Sequence, residues 1–336
     1  MNIITQSTVL VNTKKFEKWS MKKELNSLMS AKMKAAGFAD RAKRMSECSD
    51  KVEITFCPEC GCYEITRAKL CRDRLCPVCS WRLSIKRYAE MSTVCTALLR
   101  DYPENKWSFM TLTVQNCEPS LLDETLSKMA AAYNRMTQRK IFKQSILGWA
   151  RTVEVTFNAV TRQLHPHYHV LIIWERSADI LTDGARLLNQ WIASCRDLLV
   201  SYKGQYIEDI NGSTRETDAA DITGAVLETF KYTQKSSDLL SMPTSVFRDF
   251  TRNMARKRAV SFGGIIKEYM RKNHLSMDDE PDEMQPLSIC KNCGNSNLSK
   301  VLYAWSFAER SYLFDAAAMD MSVKHKTDYE DFIANV

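Results

Sequence analysis

The sequence predicts an α+β protein: strands that include an antiparallel hairpin, set among helices and preceded by a cysteine-rich module. Three observations lead there. Through the middle of the chain, β-branched or alternating stretches are interleaved with stretches of helical periodicity. Only five histidines occur in 336 residues, and three of them are His165, His167 and His169, followed at once by Val170-Leu171-Ile172-Ile173. Six of the twelve cysteines fall between residues 57 and 79.

Taken in order, residues 1–50 read as a polar lead-in followed by a basic helix, with lysine and arginine crowded between Lys14 and Lys43. Residues 51–100 form a cysteine-rich zinc-binding module and a helix over 81–100, with Trp81, Ile85, Tyr88 and Leu98 at its apolar positions. Residues 101–275 make the main domain. Within it 108–114 is an apolar, β-branched strand, and 121–136 has helical spacing. Residues 151–158 alternate like a strand, 167–174 is the next strand, and the loop between them is short enough for a hairpin. Residues 178–200 read as a helix, and 221–240 as another starting at an Asp221 N-cap. Residues 276–336 open on the acidic linker 278–283 and carry Cys290-Lys291-Asn292-Cys293.

A chain of this length holds one large domain or two modest ones. Its net charge of +7 permits a nucleic-acid partner without requiring one. No run of about 18 apolar residues marks a membrane span, and the first residues lack the basic-then-apolar layout of a secretory signal. Twelve cysteines without an export signal point to a cytoplasmic protein with reduced thiols, in which metal binding is favoured over disulfides.

Alternate side chains of a strand share a face, so His165, His167 and His169 project together. Imidazoles at i and i+2 make a compact platform for a divalent metal, and an added carboxylate suits Mg or Mn. The hairpin supplies that carboxylate, because it sets Glu154 beside the histidines. Cys57-x2-Cys60 and Cys76-x2-Cys79, with fifteen residues between them, have the spacing of a four-thiolate structural zinc site. Cys71 with Cys76 and Cys79 is an alternative ligand set. The Cys290/Cys293 knuckle has no local partner pair; a second site completed by Cys62 and Cys71 and a surface turn with two free thiols are its two readings. On the helix over 221–240, Glu228, Tyr232 and Lys235 share one face at i, i+4 and i+7. A tyrosine there becomes a nucleophile if a metal and a lysine favour its phenolate.

Three elements in order, Phe109-Met110-Thr111-Leu112-Thr113-Val114, His165-Pro166-His167-Tyr168-His169-Val170-Leu171-Ile172 and Glu228-x3-Tyr232-x2-Lys235, resemble the HUH endonucleases. Within these the chain resembles the rolling-circle replication initiators (Rep) of small bacterial plasmids. Cys71-Arg72-Asp73-Arg74-Leu75-Cys76-Pro77-Val78-Cys79-Ser80-Trp81-Arg82 and Ser261-Phe262-Gly263-Gly264 also resemble that family. The likeness runs from about residue 50 to 270.

The resemblance implies an HUH-endonuclease fold over 101–275, in which a central antiparallel sheet flanked by helices carries the metal histidines. It implies nicking of one strand of plasmid DNA at a double-strand origin, on a single-stranded or hairpin nick site. Tyr232 would attack the scissile phosphate, holding a 5′-phosphotyrosine and leaving a free 3′-OH for the host polymerase; a host helicase is the other expected partner. His167 and His169 would hold Mg2+ or Mn2+, with Glu154 as third ligand and His165 as the second choice. Lys235 would orient or neutralise the phosphate, and Glu228 would activate the water that ends the cycle. Tyr168, facing away from the metal, is expected to pack in the core. A transposase or relaxase of the same chemistry, a non-catalytic zinc-ribbon DNA-binding regulator and a zinc hydrolase using His167 and His169 are the rival readings.

Overall fold

A computed structural model describes residues 14–210, 235–255, 257–275, 284 and 286–315. They divide into two compact units: the described residues up to Arg82 with those from 284 onward, and those from Leu83 to Leu275. In chain order the strands are β1 (Lys51–Phe56), β2 (Tyr63–Ala68), β3 (Trp107–Thr113), β4 (Ile146–Phe157), β5 (Leu164–Trp174), β6 (Tyr206–Asp209), β7 (Val260–Gly263), β8 (Ser299–Ser306) and β9 (Ser311–Phe314). All strand pairings are antiparallel, and helices complete a mixed α+β architecture.

The first unit contains a sheet of order β2-β1-β8-β9 and the helices Lys14–Ala35 and Ala39–Ser46. Lys23, on the longer helix, is fully buried. Its Nζ donates to the carbonyls of Ser46 (2.8 Å) and Cys48 (2.7 Å) and pairs with Asp50. Asn26, one turn along, donates to the Met45 carbonyl at 2.7 Å. One helix face thereby adds donors to the carbonyls around the end of Ala39–Ser46, and pins the turn carrying Cys48. Strands β1, β2, β8 and β9 were not expected from the sequence.

The second unit is built on a sheet of order β6-β3-β5-β4-β7. The expected strands are present with shifted ends, and β4 and β5 form the hairpin. Their loop is closed by Asn158, whose amide donates to the Gln163 carbonyl (2.9 Å) while its side chain accepts from Val160 N–H and Thr161 N–H. One face of the sheet carries Trp107, Phe109, Ala150, Leu171 and Ile173. It is covered by Met91, Val94, Cys95 and Leu98 of helix Pro77–Asp101 and by Ile266 and Met270 of helix Gly264–Lys272. On the other face Tyr168 meets Tyr133 of helix Leu122–Thr137 and Trp191 of helix Ile180–Cys195, edge to face. Helix Ile180–Cys195 starts at Asp179, whose side chain accepts from Thr182 N–H, and stops at Arg196, where φ is 44°. It is therefore shorter than the span expected over 178–200.

The Ser261-Phe262-Gly263-Gly264 stretch has a steric explanation. β7 borders β4, and the chain then turns into helix Gly264–Lys272. A Cβ on Gly263 would strike the Trp149 ring, and one on Gly264 would strike the backbone of Leu147 and Gly148 at a φ of +57°. Only glycine fits both demands.

The helix expected over 221–240 falls mostly outside the described residues, and so does the acidic linker 278–283. Lys235 is described, and it corrects the expectation that the helix runs on through it. Its backbone is extended (φ −75°, ψ 128°), and a new short helix, Ser236–Ser241, starts after it and stops before Pro243. The residue preceding a proline is biased out of the helical region. Among the described residues, no helix is long and apolar enough to cross a membrane.

Candidate metal centre and cysteine clusters

The β4–β5 register sets Glu154 opposite His167 and Thr152 opposite His169, while β3 sets Thr111 opposite His169 and Thr113 opposite His167. Directly paired residues share a face, so the histidines and Glu154 occupy the same face as the apolar core cluster, further along the strands. Glu154 Oε2 lies 2.9 Å from His169 Nε2 and 3.2 Å from His167 Nε2. One ligand atom from each of the three residues lies within 4.8 Å of the others. Two imidazole nitrogens and a carboxylate oxygen so disposed fit a hard-to-borderline divalent cation.

The surroundings orient these ligands. His167 Nδ1 is 3.3 Å from the His165 carbonyl, so an Nδ1–H donated there would free the Nε2 lone pair for a metal once an ion takes the place of the Nε2–Glu154 hydrogen bond. The His169 ring stacks on Phe109 with centroids 5.2 Å apart, and its Nδ1 is 3.5 Å from Thr111 Oγ1. Burial alone would raise the Glu154 pKa. Hydrogen bonds from His167 and His169, with their charge, outweigh it and hold the carboxyl well below the usual range. His165 is not in the group: its Nδ1 lies 2.8 Å from Asn116 Oδ1. Burial, and then the neighbouring charge of His167, lower its pKa.

Glu228 and Tyr232 lie outside the described residues. Lys235 is described and exposed. Tyr168 is 1 % exposed. The guanidinium of Arg151 is 4.3 Å from its ring centroid, and equally far from that of Tyr133.

The cysteines assemble differently from the expected grouping. Cys57, Cys60, Cys76 and Cys79 do not form one set. Cys76 and Cys79 join Cys48 and Cys71, and Cys57 and Cys60 join Cys290 and Cys293. Cys62 belongs to neither group. In the first, Sγ atoms are 3.6 Å apart for Cys48 and Cys79, 3.7 Å for Cys71 and Cys79, and 3.6 Å for Cys76 and Cys48. In the second, Cys57–Cys293 and Cys60–Cys290 are both 3.5 Å. Zinc–sulfur bonds of about 2.3 Å arranged tetrahedrally require sulfurs ~3.8 Å apart. Both clusters could therefore hold a structural metal. Hydrogen bonds from Cys48, Cys71 and Cys76 hold the Cys79 thiol far below its ordinary pKa, whereas burial pushes Cys76 up.

The second cluster is made of two similar knuckles. Gly61 N–H donates to the Cys57 carbonyl (3.0 Å), and Gly294 N–H to the Cys290 carbonyl (2.9 Å). Both glycines have positive φ, 67° and 76°. One knuckle follows β1 and the other precedes β8, and β1 pairs with β8. The sheet thus joins segments from opposite ends of the chain, which is why local spacing misassigned the partners. Cys48 escaped the sequence reading because it is a lone cysteine outside any knuckle. Thr111 and Asn116 carried no signal of their own.

A sequence profile of the family described as Replication protein matches residues 63–313. A protein rep of Streptococcus pneumoniae is 27 % identical over 297 residues, covering 88 % of this chain and 91 % of the relative. A protein rep of Bacillus amyloliquefaciens is 28 % identical over 311 residues (81 % and 89 %), and a replication protein of Staphylococcus aureus is 30 % identical over 208 residues (59 % and 86 %). No solved structure matches. With three quarters of its length matched by one profile and several relatives aligned over most of their own, the chain belongs to the replication-protein (Rep) family of plasmid rolling-circle replication initiators.

Proposed function

We propose that this protein is an HUH-type endonuclease that starts plasmid replication by nicking one strand at the double-strand origin, through a tyrosine nucleophile. The observation that carries the reading is the Glu154–His167–His169 cluster in a chain of the replication-initiator family. Those three residues would hold Mg2+ or Mn2+. When bound, the ion supplies Lewis acidity, drawing charge from a non-bridging phosphate oxygen. Tyr232 Oη attacks the scissile phosphorus, the P–O3′ bond breaks, and a 5′-phosphotyrosine and a free 3′-OH result. Lys235, following closely on Tyr232 in the chain, neutralises the phosphate. Glu228 takes a proton from the water that later hydrolyses the phosphotyrosine. The two cysteine clusters hold Zn2+ as closed structural sites.

Origin DNA is the partner such an initiator requires; the host DNA polymerase extends the free 3′-OH while a host helicase separates the strands. The replication names carried by the relatives favour an initiator over a transposase or relaxase of the same chemistry.

The test is incubation of the protein with single-stranded fragments tiling the DNA beside its gene, with Mn2+ or Mg2+, followed by denaturing electrophoresis. The expected result is a covalent protein–DNA adduct that needs metal and is abolished in Tyr232→Phe and Glu154→Ala. Metal-loaded protein that binds these fragments yet never forms an adduct would support the non-catalytic zinc-ribbon regulator instead.

A further inference from the structure

The sheet face that carries Glu154, His167 and His169 continues past β3 to the edge strand. Thr111 pairs with His169 on one side and with Tyr206 on the other, so Tyr206, Thr111 and His169 form one row on one face. Two strand spacings of ~4.8 Å separate the ends of that row, about 10 Å in all. Among the described residues β6 pairs only with β3, at an edge of the sheet. Edge strands are usually blunted with charge or proline. This one carries the exposed acids Glu208 and Asp209 in its second half, and its first residue is Tyr206, 49 % exposed, after the turn Tyr202-Lys203-Gly204, where Tyr202 is 52 % exposed.

The turn is pinned to the strand end that bears the metal ligands. Gln205 is 5 % exposed, and its Nε2 donates to the carbonyls of Thr113 and Ser201 and to Thr113 Oγ1, each at 3.0 Å. Its Oε1 accepts from Thr113 N–H at 2.8 Å, and Thr113 is the residue opposite His167. Gly204 lies so close that a Cβ there would come within 2.5 Å of Thr113 Oγ1. Two exposed aromatic rings and a lysine are thus carried on a backbone that is already ordered. Exposed rings beside positive charge are what unpaired bases stack on, with the backbone phosphate attracted to the cation.

The geometry points to Tyr206, with Tyr202 and Lys203, as a stacking platform for unpaired bases of single-stranded DNA whose scissile phosphate lies at the metal site of Glu154, His167 and His169. It rests on the nicking reading for the meaning of that phosphate, while base stacking itself is measurable without cleavage. The platform sets where the strand is cut by holding the nucleotides one or two places from the scissile bond.

The experiment uses full-length Tyr232→Phe protein and nick-site oligonucleotides carrying 2-aminopurine at each position in turn. Fluorescence at one or two positions beside the nick is expected to be quenched on binding. Tyr206→Ala in the same background should restore it and weaken binding about 5- to 150-fold, the worth of one stacked base. Tyr206→Phe should keep both, and Tyr102→Ala, an exposed tyrosine elsewhere, should change neither. Lys203→Ala should lower the slope of log affinity against log salt by about one. A Tyr206→Ala protein that retains zinc, wild-type affinity and an unchanged quenching profile overturns the platform. Loss of the profile in Tyr206→Ala, together with no adduct from the wild-type protein, would retain the platform and remove the nicking chemistry.

Discussion

Glu154, His167 and His169 converge because two strands of period two are joined by a short loop. The same period sends Tyr168 into the core between Tyr133 and Trp191 and keeps it from the metal face. That much was legible from residues alone, since neighbours on a hairpin are also near in sequence. His165 shows where such reading stops: it shares the face, yet Asn116 takes its ring. Burial and the charge of His167 depress its pKa, so the folded state takes up a proton less readily than the unfolded chain, which protonates below about pH 6.5. The unfolded state then binds more protons, and stability is lost as pH falls through that value. The metal-free wild type should therefore lose urea stability between about pH 8 and pH 5.5 by more than His165→Gln does. Equal losses in the two proteins would show that His165 does not titrate between the folded and unfolded states.

At the scale of elements, the two cysteine clusters differ in how they are built. Cys48, Cys71, Cys76 and Cys79 come from one stretch of chain, gathered when Lys23 and Asn26 of helix Lys14–Ala35 hold the turn after Ala39–Ser46. Cys57 and Cys60 need the far end of the chain, because their partners arrive only when β8 pairs with β1. Zinc content should accordingly be two per chain. Cys48→Ser should bring it to one while leaving the Cys290 cluster filled, and Cys290→Ser should do the converse, both read by zinc release to a chromogenic chelator. A content of one in the wild type, unchanged in Cys290→Ser, would refute two independent sites. The short helix after Lys235 belongs to this scale too: helical spacing over 221–240 extended through Lys235, but Lys235 itself is extended, and the helix that starts after it ends ahead of Pro243.

At the scale of the molecule, both cysteine clusters lie in one unit, and the other carries the larger sheet together with Glu154, His167 and His169. The five-stranded sheet buries Trp107, Leu171, Ile173 and Ile266 against helices, whereas the four-stranded sheet is small and joined to both thiolate clusters. Small sheets commonly depend on such metals for their stability. Chelation should therefore split urea unfolding into two steps, an early one of the cysteine-bearing unit and a late one close to the metal-loaded midpoint. A single transition shifted as a whole would mean that the two units unfold together. By itself the sequence determined the α+β class, the strands β3, β4 and β5, the grouping of His167 and His169 with Glu154, and the family, all carried by local periodicity and short motifs. Only the tertiary structure decided the cysteine partners, the second sheet and the position of Tyr206 beside the metal face. Those depend on strand pairings between segments far apart in the chain, where the spacing of residues carries no information about which edge meets which.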